Sequence, residues 1–241
     1  MDQDLSPAPA DGGMPAVTAE DATRDRLKMA ARRLFSLHGI DAVSVRAIVT
    51  AAGMRNGASL HYYFGSKDAL VRELVVDAAK RSDRARRLRL DAMEAAGGPR
   101  AARDVVRLMV EVETIGTGDP DEVGDLPIGF GHMRFVMAVQ VNHRGLFLDA
   151  VGDRWVSSYM RCIDHLRRLL AHLPAPLVSQ RLAFMALFMN SGLAAREAAF
   201  EADPSGGGLW GRPYALDNLI SAICGALDAP LIPELETRGP D

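Results

Sequence analysis

Apolar residues recur at the spacing of an α-helix along most of this 241-residue chain, whereas no segment shows the convincing alternation of a β-strand. In the first such pattern, Leu27, Ala31, Leu34 and Phe35 share one face. Segments rich in glycine and proline interrupt the pattern and divide it into separate helices. The predicted helices are 21–38, a short one after Ser44, 58–63, a longer one after Ser66, 100–115, 129–141, 145–171, 177–202 and 214–228. The sequence therefore predicts an all-α fold.

The first helices carry recognisable end signals. Thr18, with Asp21 three positions later, resembles a capping box, and Gly39 is a suitable C-terminal stop. Ser44 and Ser66 can cap the second and fourth helices. These signals predict four closely spaced helices within the first third of the chain.

The net charge of −3 conceals an uneven distribution. Residues 21–90 carry 15 Lys and Arg against 7 Asp and Glu, a net charge of +8, while the rest of the chain carries −11. A basic segment on an acidic remainder indicates that one part of the protein meets a polyanion such as nucleic acid. The alternative is a run of solvated helix faces. The arginines predicted to be mostly solvated on the fourth helix are Arg81, Arg84, Arg86, Arg87 and Arg89.

The stretch AAGMRNGASLHYYFGSKDAL, residues 51–70, lies within this basic segment. Gly53 ends the second helix, because a tight turn needs a residue that tolerates positive φ, and Met54 is expected to pack inward. A helix, a short glycine-containing turn and another helix form a helix-turn-helix, whose second helix enters the major groove of DNA. The stretch is therefore predicted to contain the turn and the recognition helix.

Side chains of this stretch are suited to both bases and backbone. Arg55 can bind guanine and Asn56 can bind adenine with two hydrogen bonds each, and Ser59 shares the groove-facing side of the helix. Gly57 leaves room for the backbone to approach the groove. We therefore expect Arg55, Asn56 and Ser59 to select the DNA sequence, whereas His61 faces the flank or a phosphate.

The aromatic and basic residues that follow are predicted phosphate contacts. Tyr62 and Tyr63 carry a hydroxyl group on a stiff ring. The alternative for either tyrosine, and the expectation for Phe64, is packing in a small core. Lys67 lies at the start of the fourth helix, where its charge adds to the positive end of the helix dipole and favours a bound phosphate.

Three segments, LKMAARRLFSLHGI, VSVRAIVTAAGM and YYFGSKDAL, resemble the N-terminal domain of the TetR/AcrR family of bacterial regulators over residues 26–74. The resemblance implies an all-helical homodimer with a three-helix DNA-binding head. It also implies a larger C-terminal part that dimerises and usually binds a small effector, whose binding releases the operator. The DNA contacts that the resemblance implies are Ser44, which also caps the second helix, Arg46, Lys67, and Tyr62 or Tyr63.

The turn departs from the family pattern. Phe64 lies one residue farther from Gly53 than is common in the family, so the recognition helix starts one residue later or carries a bulge. His61 occupies a position where tyrosine is frequent. These features resemble a subgroup with an RNxS-type turn.

The chain divides into four predicted segments. Residues 1–20 are rich in Pro, Ala, Gly and Asp and are predicted to form a disordered tail. Residues 21–66 form the helix-turn-helix DNA-binding domain, and residues 67–229 form a helical ligand-binding and dimerisation domain. Residues 230–241 are predicted to be a loose C-terminal tail.

The second part contains many methionine and aromatic side chains, which fit an adaptable pocket for a small apolar or amphipathic effector. The predicted lining residues are Met109, Phe130, His132, Phe135, Trp155, Tyr159, Met185 and Met189, and Arg134, Asn190 and Arg196 are polar candidates at the rim. The alternative for each residue separately is an ordinary position in a helical core.

The last two helices are predicted to form the dimer face. The stripe on the final helix consists of Leu216, Leu219, Ile220, Ile223 and Leu227. Two such helix pairs, one from each chain, would form a four-helix interface. The alternative is that the stripe packs only within its own chain.

Other function classes find little support in the sequence. The six histidines are scattered without convincing carboxylate partners, and we find neither a nucleophile elbow nor an acid pair, so we expect no enzyme, no metal and no cofactor. No apolar run approaches the roughly 18 residues of a membrane span, and the first residues do not resemble a signal peptide. The two cysteines, far apart, suit a reducing cytoplasm. We expect a bacterial cytoplasmic protein that is nucleoid-associated when bound to DNA.

The predicted function is therefore an effector-responsive DNA-binding regulator of transcription. In the family that it resembles, such proteins are most often repressors, released from a palindromic double-stranded operator by a small molecule. The alternative is a helical protein that binds a small molecule or a partner and retains a degenerate DNA-binding head.

Overall fold

The computed structural model describes residues 18–115, 131–152 and 154–231. Within these ranges the chain forms ten α-helices and one short 3-10 helix without a β-strand, which confirms the predicted all-α fold. The α-helices are α1 (Ala19–His38), α2 (Val45–Ala51), α3 (Ala58–Phe64), α4 (Lys67–Ala95), α5 (Ala102–Ile115), α6 (His132–Asn142), α7 (Arg144–Val151), α8 (Ser157–Leu169), α9 (Ala175–Ala202) and α10 (Ala215–Leu227). The 3-10 helix spans Gly208–Gly211, between α9 and α10.

The predicted helix ends in the N-terminal part are confirmed. Thr18 and Asp21 form both hydrogen bonds of a capping box, so α1 begins within the segment 1–20 that was predicted to be a tail. Ser44 and Ser66 cap α2 and α4 through bonds from backbone N–H groups three residues later. Gly39 ends α1 with a φ of +78°.

The first hydrophobic core joins the head, which consists of α1, α2 and α3, to part of the body, which consists of the helices from α4 to α10. Phe35 of α1 and Leu60 of α3 are fully buried in it. The same core includes Phe135 of α6 and Val151 of α7. The rings of Phe35 and Phe135 stack with their centroids 6.1 Å apart. The head therefore rests on α6 and α7 through a continuous apolar contact.

The second core lies among the later helices. Leu90 of α4, Met109 of α5, Leu166 of α8, Met185 of α9 and Ile223 of α10 are all buried in it. The long helices α4 and α9 both contribute buried residues to this core. The amphipathic helices α5, α8 and α10 pack against them.

The prediction of one helix over 145–171 is wrong, because the chain breaks there into α7 and α8. Gly152 ends α7 with a φ of +50°, a conformation that glycine adopts without steric cost. Apolar residues continue at helical spacing on both sides of the break, so the periodicity alone did not reveal it. The break allows α7 to pack near the start of α4 and α8 to pack near its end.

Two arginines that were predicted to be solvated are buried. Arg81 and Arg86 are each only 7% exposed. The helices α5 and α8 both pack against this part of α4 and cover the face that carries Arg86, whereas Arg84 and Arg87 are exposed, as predicted. Nη2 of Arg86 lies 3.2 Å from a carboxylate oxygen of Glu113 on α5, and Nη1 donates to the hydroxyl of Ser158 on α8.

Among the described residues, none of the helices combines the length and the apolar character that a membrane crossing requires. The terminal segments 1–17 and 232–241 lie outside the described residues.

Candidate nucleic-acid interface

The turn between α2 and α3 is built by one glycine and one apolar anchor. Gly53 has a φ of +75°, which reverses the chain after α2 as predicted. Met54 packs against the first core, and its N–H donates to the carbonyl oxygen of Val49 over 3.0 Å. The inward position of Met54 is confirmed, and it leaves the next residues of the turn facing solvent.

The helix α3 is held from one side and exposed on the other. Leu60 and Phe64 are buried against the first core, which confirms the expectation for Phe64. Arg55, Asn56 and Gly57 are exposed, and Ser59 is half-buried. The turn and the start of α3 thus present a polar surface next to an anchored helix, as a groove-reading element requires.

The side chain of Asn56 has a structural partner. Its Oδ1 accepts a hydrogen bond from the N–H of Ala58 over 3.0 Å, so Asn56 caps the first turn of α3. Recognition of adenine by asparagine uses both the carbonyl oxygen and the amide nitrogen. To read adenine in this way, Oδ1 of Asn56 must either accept a second hydrogen bond beside the one from Ala58 or give up the cap.

The two tyrosines differ in burial. Tyr62 is 75% exposed, and its hydroxyl lies 3.4 Å from Oε1 of Glu20. Tyr63 is half-buried against the first core, and the two rings meet edge to face at 4.9 Å. Of the two, Tyr62 is the one whose hydroxyl can reach a phosphate without a change in the core.

His61 closes the other end of α3. Its Nδ1 lies 2.7 Å from the carbonyl oxygen of Gly65, the residue that ends the helix. His61 is exposed, and its minor part in base selection remains a prediction.

Lys67 bonds to the protein itself. Its Nζ donates to the carbonyl oxygens of Ile40 and Val43, over 2.9 and 3.0 Å. Both carbonyls belong to the turn between α1 and α2, which Lys67 therefore ties to the start of α4. The phosphate contact by Lys67 remains a prediction, and the structure adds a second role that sequence reasoning missed.

The start of α2 contributes the remaining predicted contacts. The hydroxyl of Ser44 accepts a hydrogen bond from the N–H of Ala47 over 3.1 Å, which confirms its capping role. Arg46 lies in the first turn of α2 and is exposed. An exposed guanidinium beside the N-terminus of a helix is suited to a DNA phosphate.

We expect Lys67→Met to lower the free energy of unfolding by about 2 kcal/mol, because two carbonyls lose a charged donor. Urea unfolding followed by circular dichroism measures this loss. The matched control is Arg46→Met, which removes an exposed charge of the same head and should change stability by less than about 0.5 kcal/mol. If Lys67→Met unfolds like the wild type, the structural role is wrong and the phosphate contact alone remains.

The predicted ligand-binding residues are divided between the two cores. Met109, Met185 and Met189 are buried in the second core, and Tyr159 packs against it. Phe135 and Trp155 belong to the first core instead. Phe130 lies outside the described residues.

His132 belongs to a buried polar cluster centred on Glu113. The Glu113 carboxylate accepts hydrogen bonds from Ser82 (3.0 Å) and Arg86 (3.2 Å), and Nε2 of His132 lies 3.4 Å from it. Burial alone would raise the pKa of Glu113, but the hydrogen bond with His132 and the charges of Arg86 and Arg81 hold it at about 2. Burial lowers the pKa of His132, against the opposing effect of Glu113.

The helix α6 connects this cluster with the head. The carboxylate of Glu197 on α9 accepts hydrogen bonds from the backbone N–H groups of Met133 and Arg134, over 2.9 and 3.1 Å, and so caps α6. The next residue, Phe135, stacks on Phe35 of α1. The same short helix thus contacts the body through its first residues and the head through the next.

The predicted dimer stripe is covered by its own chain. Leu219, Ile220, Ile223 and Leu227 are buried in the second core, and Leu216 packs against it. A second chain could reach these residues only if α10 left its place. The apolar residues exposed on α9 are different ones, namely Phe184, Leu187 and Phe188.

Residues 29–74 match the family model described as bacterial regulatory proteins, tetR family. The chain matches no curated protein sequence. The matched segment begins within α1 and ends within α4, and it includes α2, the turn and α3. Every residue predicted to contact DNA, from Ser44 to Lys67, lies inside it.

Proposed function

Because the chain belongs to the tetR family of bacterial regulatory proteins and is a DNA-binding transcriptional regulator, we propose that it is a repressor that a small effector releases from a palindromic operator. It acts as a homodimer in the bacterial cytoplasm, at the nucleoid when bound to DNA. The observation that carries the proposal is the exposed polar surface of the turn and α3, anchored by Leu60 and Phe64.

The reading surface supports recognition by a small number of side chains. Arg55 is exposed in the turn, and Ser59 lies in the first turn of α3. Arg46 and Tyr62 are exposed as well, and we assign them to the phosphate backbone. One such surface covers a few base pairs, so a dimer would read two half-sites about one helical turn of DNA apart, centre to centre.

We propose that the dimer forms through the exposed face of α9. Phe184, Leu187 and Phe188 are 61%, 55% and 41% exposed, and their spacing places them on one side of the helix. The exposed residues Ala222, Gly225 and Ala226 of the adjacent α10 are small and allow a second helix to approach closely. A pair of α9 and α10 from each chain would then form the four-helix interface.

We expect Leu187→Glu to convert the proposed dimer into a folded monomer. The side chain is already exposed within one chain, so the carboxylate is buried only when two chains associate, at a cost of several kcal/mol. Sedimentation velocity measures the change. Val141→Glu is the matched control and should remain a dimer, since Val141 is similarly exposed (59%) but lies on α6, outside the proposed interface. A dimeric Leu187→Glu protein would move the interface elsewhere, whereas Ile223→Glu is expected to unfold the second core and reports nothing on association.

The proposed effector site lies around the Glu113 cluster. Met109, Met185 and Met189 of the second core would supply adaptable apolar side chains, and His132 and Arg86 would supply polar groups. An effector bound there meets α6 at His132, and α6 carries Phe135 against the head. Displacement of α6 would change the position of α1 and therefore the spacing of two heads in a dimer.

The decisive experiment selects DNA bound by the purified full chain from a random double-stranded pool. The proposal expects an enriched palindrome whose half-sites are about ten base pairs apart, with binding that weakens as salt rises. The double variant that combines Arg46→Ala with Arg55→Ala should abolish the enrichment. An unenriched pool would favour the alternative, a helical small-molecule or partner-binding protein with a degenerate head.

A further inference from the structure

A cleft of about 320 Å³ lies beside the C-terminal end of α9, where the chain turns through the 3-10 helix towards α10. Its lining includes the aromatic rings of Phe200 and Trp210 and the guanidinium groups of Arg196 and Arg212. Leu216, at the start of α10, closes one side. The cleft shares no lining residue with the proposed effector site around Glu113.

Arg196 occupies a position of α9 that faces inward. Leu182 and Met189 are buried on this helix, and Arg196 follows Met189 by the same seven residues that separate the first two. A spacing of seven residues keeps side chains on nearly the same face of a helix. An apolar residue is expected at this position, whereas the chain has an arginine there, beside the cleft.

This arginine forms no ion pair among the described residues. Across the described ranges, no carboxylate oxygen lies within 4 Å of the guanidinium of Arg196 or of Arg212. Nε of Arg196 is buried and has no hydrogen-bond acceptor. The guanidinium instead lies over the ring of Phe200, 4.8 Å from its centre. Outside residues 21–90 the chain is strongly acidic, so unpaired arginines at one cleft stand out.

From this arrangement we propose that the cleft binds a small carboxylate with an aromatic or apolar body. A carboxylate matches the planar donor fork of Arg196 and supplies the acceptor that the buried Nε lacks. Phe200 and Trp210 bind the body of the ligand through their ring faces and edges. A volume near 300 Å³ lies at the small end of ligand sites and suits a molecule of one or two rings.

The experiment titrates the full chain with 2-naphthoate and follows the fluorescence of Trp210 in a Trp155→Phe background, which leaves Trp210 as the single tryptophan. Saturable quenching is expected, and 2-naphthamide, which has the same body without the charge, should bind at least tenfold more weakly. Arg196→Gln should weaken naphthoate binding by at least tenfold, while Arg144→Gln, on the exposed start of α7, should leave it unchanged. Equal binding of acid and amide, unchanged binding by Arg196→Gln, or no quenching by naphthoate at millimolar concentration would each overturn the proposal.

A second measurement tests Arg196 without any ligand. If the arginine is kept for binding, Arg196→Met should melt at or above the wild-type temperature, because an apolar side chain suits the inward register better than an unpaired charge. A fall of more than a few degrees would show that Arg196 serves packing and would also overturn the proposal. Neither measurement requires DNA, so a failure here is distinguishable from a failure of operator binding.

Discussion

Glu113→Ala is expected to lower the free energy of unfolding by about 3–5 kcal/mol, because it leaves the charge of Arg86 buried without its carboxylate. Arg86 is 7% exposed and His132 is 1% exposed, so water cannot replace the lost partner without a rearrangement of the core. Urea unfolding at neutral pH measures the loss. The matched control is Glu111→Ala on the same helix, whose half-exposed ion pair with Arg89 should contribute less than about 1 kcal/mol.

The same cluster predicts a loss of stability in acid. The pKa of Glu113 falls from 4.5 to about 2 in the folded chain, which corresponds to about 3 kcal/mol. This contribution is complete above pH 4.5 and is lost as the pH falls towards 2. Burial also lowers the pKa of His132, so the folded state loses stability in the same direction once the pH falls below 6.5. Glu113→Gln should flatten the part of this dependence below pH 4.5.

Replacing both Glu113 and Arg86 tests whether the instability of Glu113→Ala comes from the buried charge that it leaves unpaired. Glu113→Leu combined with Arg86→Met should recover most of the stability that Glu113→Ala loses, since apolar residues of similar volume replace the ion pair. A single variant that loses less than 1 kcal/mol, or a double variant as unstable as the single one, would contradict the assignment of Glu113 as the partner of Arg86.

Local signals explain why the head was predictable from the sequence. Thr18, Ser44 and Ser66 cap helices through bonds that span only three residues, so their roles follow from short motifs. The bond from Lys67 to Ile40 spans 27 residues and depends on how α1 and α4 pack. No spacing rule relates these two positions, and the structure was needed to find the contact.

In the body, the helical period indicated correctly which positions are buried, but the charge of some residues led to the opposite prediction. Arg81 follows the buried Leu74 by seven residues, and Glu113 follows the buried Met109 by four, so both positions face inward. Arg81 was predicted to be solvated because charged residues are mostly exposed, although charged residues can be buried when they are paired. The stripe on α10 shows another limit, because an apolar face alone does not indicate whether its partner is the same chain or a second one.

Arg55→Ala should weaken operator binding by about 2–6 kcal/mol in a dimer, since one base contact of about 1–3 kcal/mol is lost in each half-site. That range corresponds to a loss of affinity between about 30-fold and 10⁴-fold. Competition binding at one fixed salt concentration, with the selected operator and its single-base variants, measures both affinity and preference. We expect the preference to relax at one base pair of each half-site.

Asn56 provides the matched comparison, because its cap on α3 makes a different prediction from base reading. Asn56→Ala should destabilise the head by about 1 kcal/mol, whereas Asn56→Ser keeps a capping oxygen and should retain both stability and base preference. If Asn56 reads adenine, the serine variant should lose the preferred base as completely as the alanine variant. Preference that survives Arg55→Ala but is changed by Asn56→Ser would mean that Asn56, not Arg55, is the principal reader of the groove.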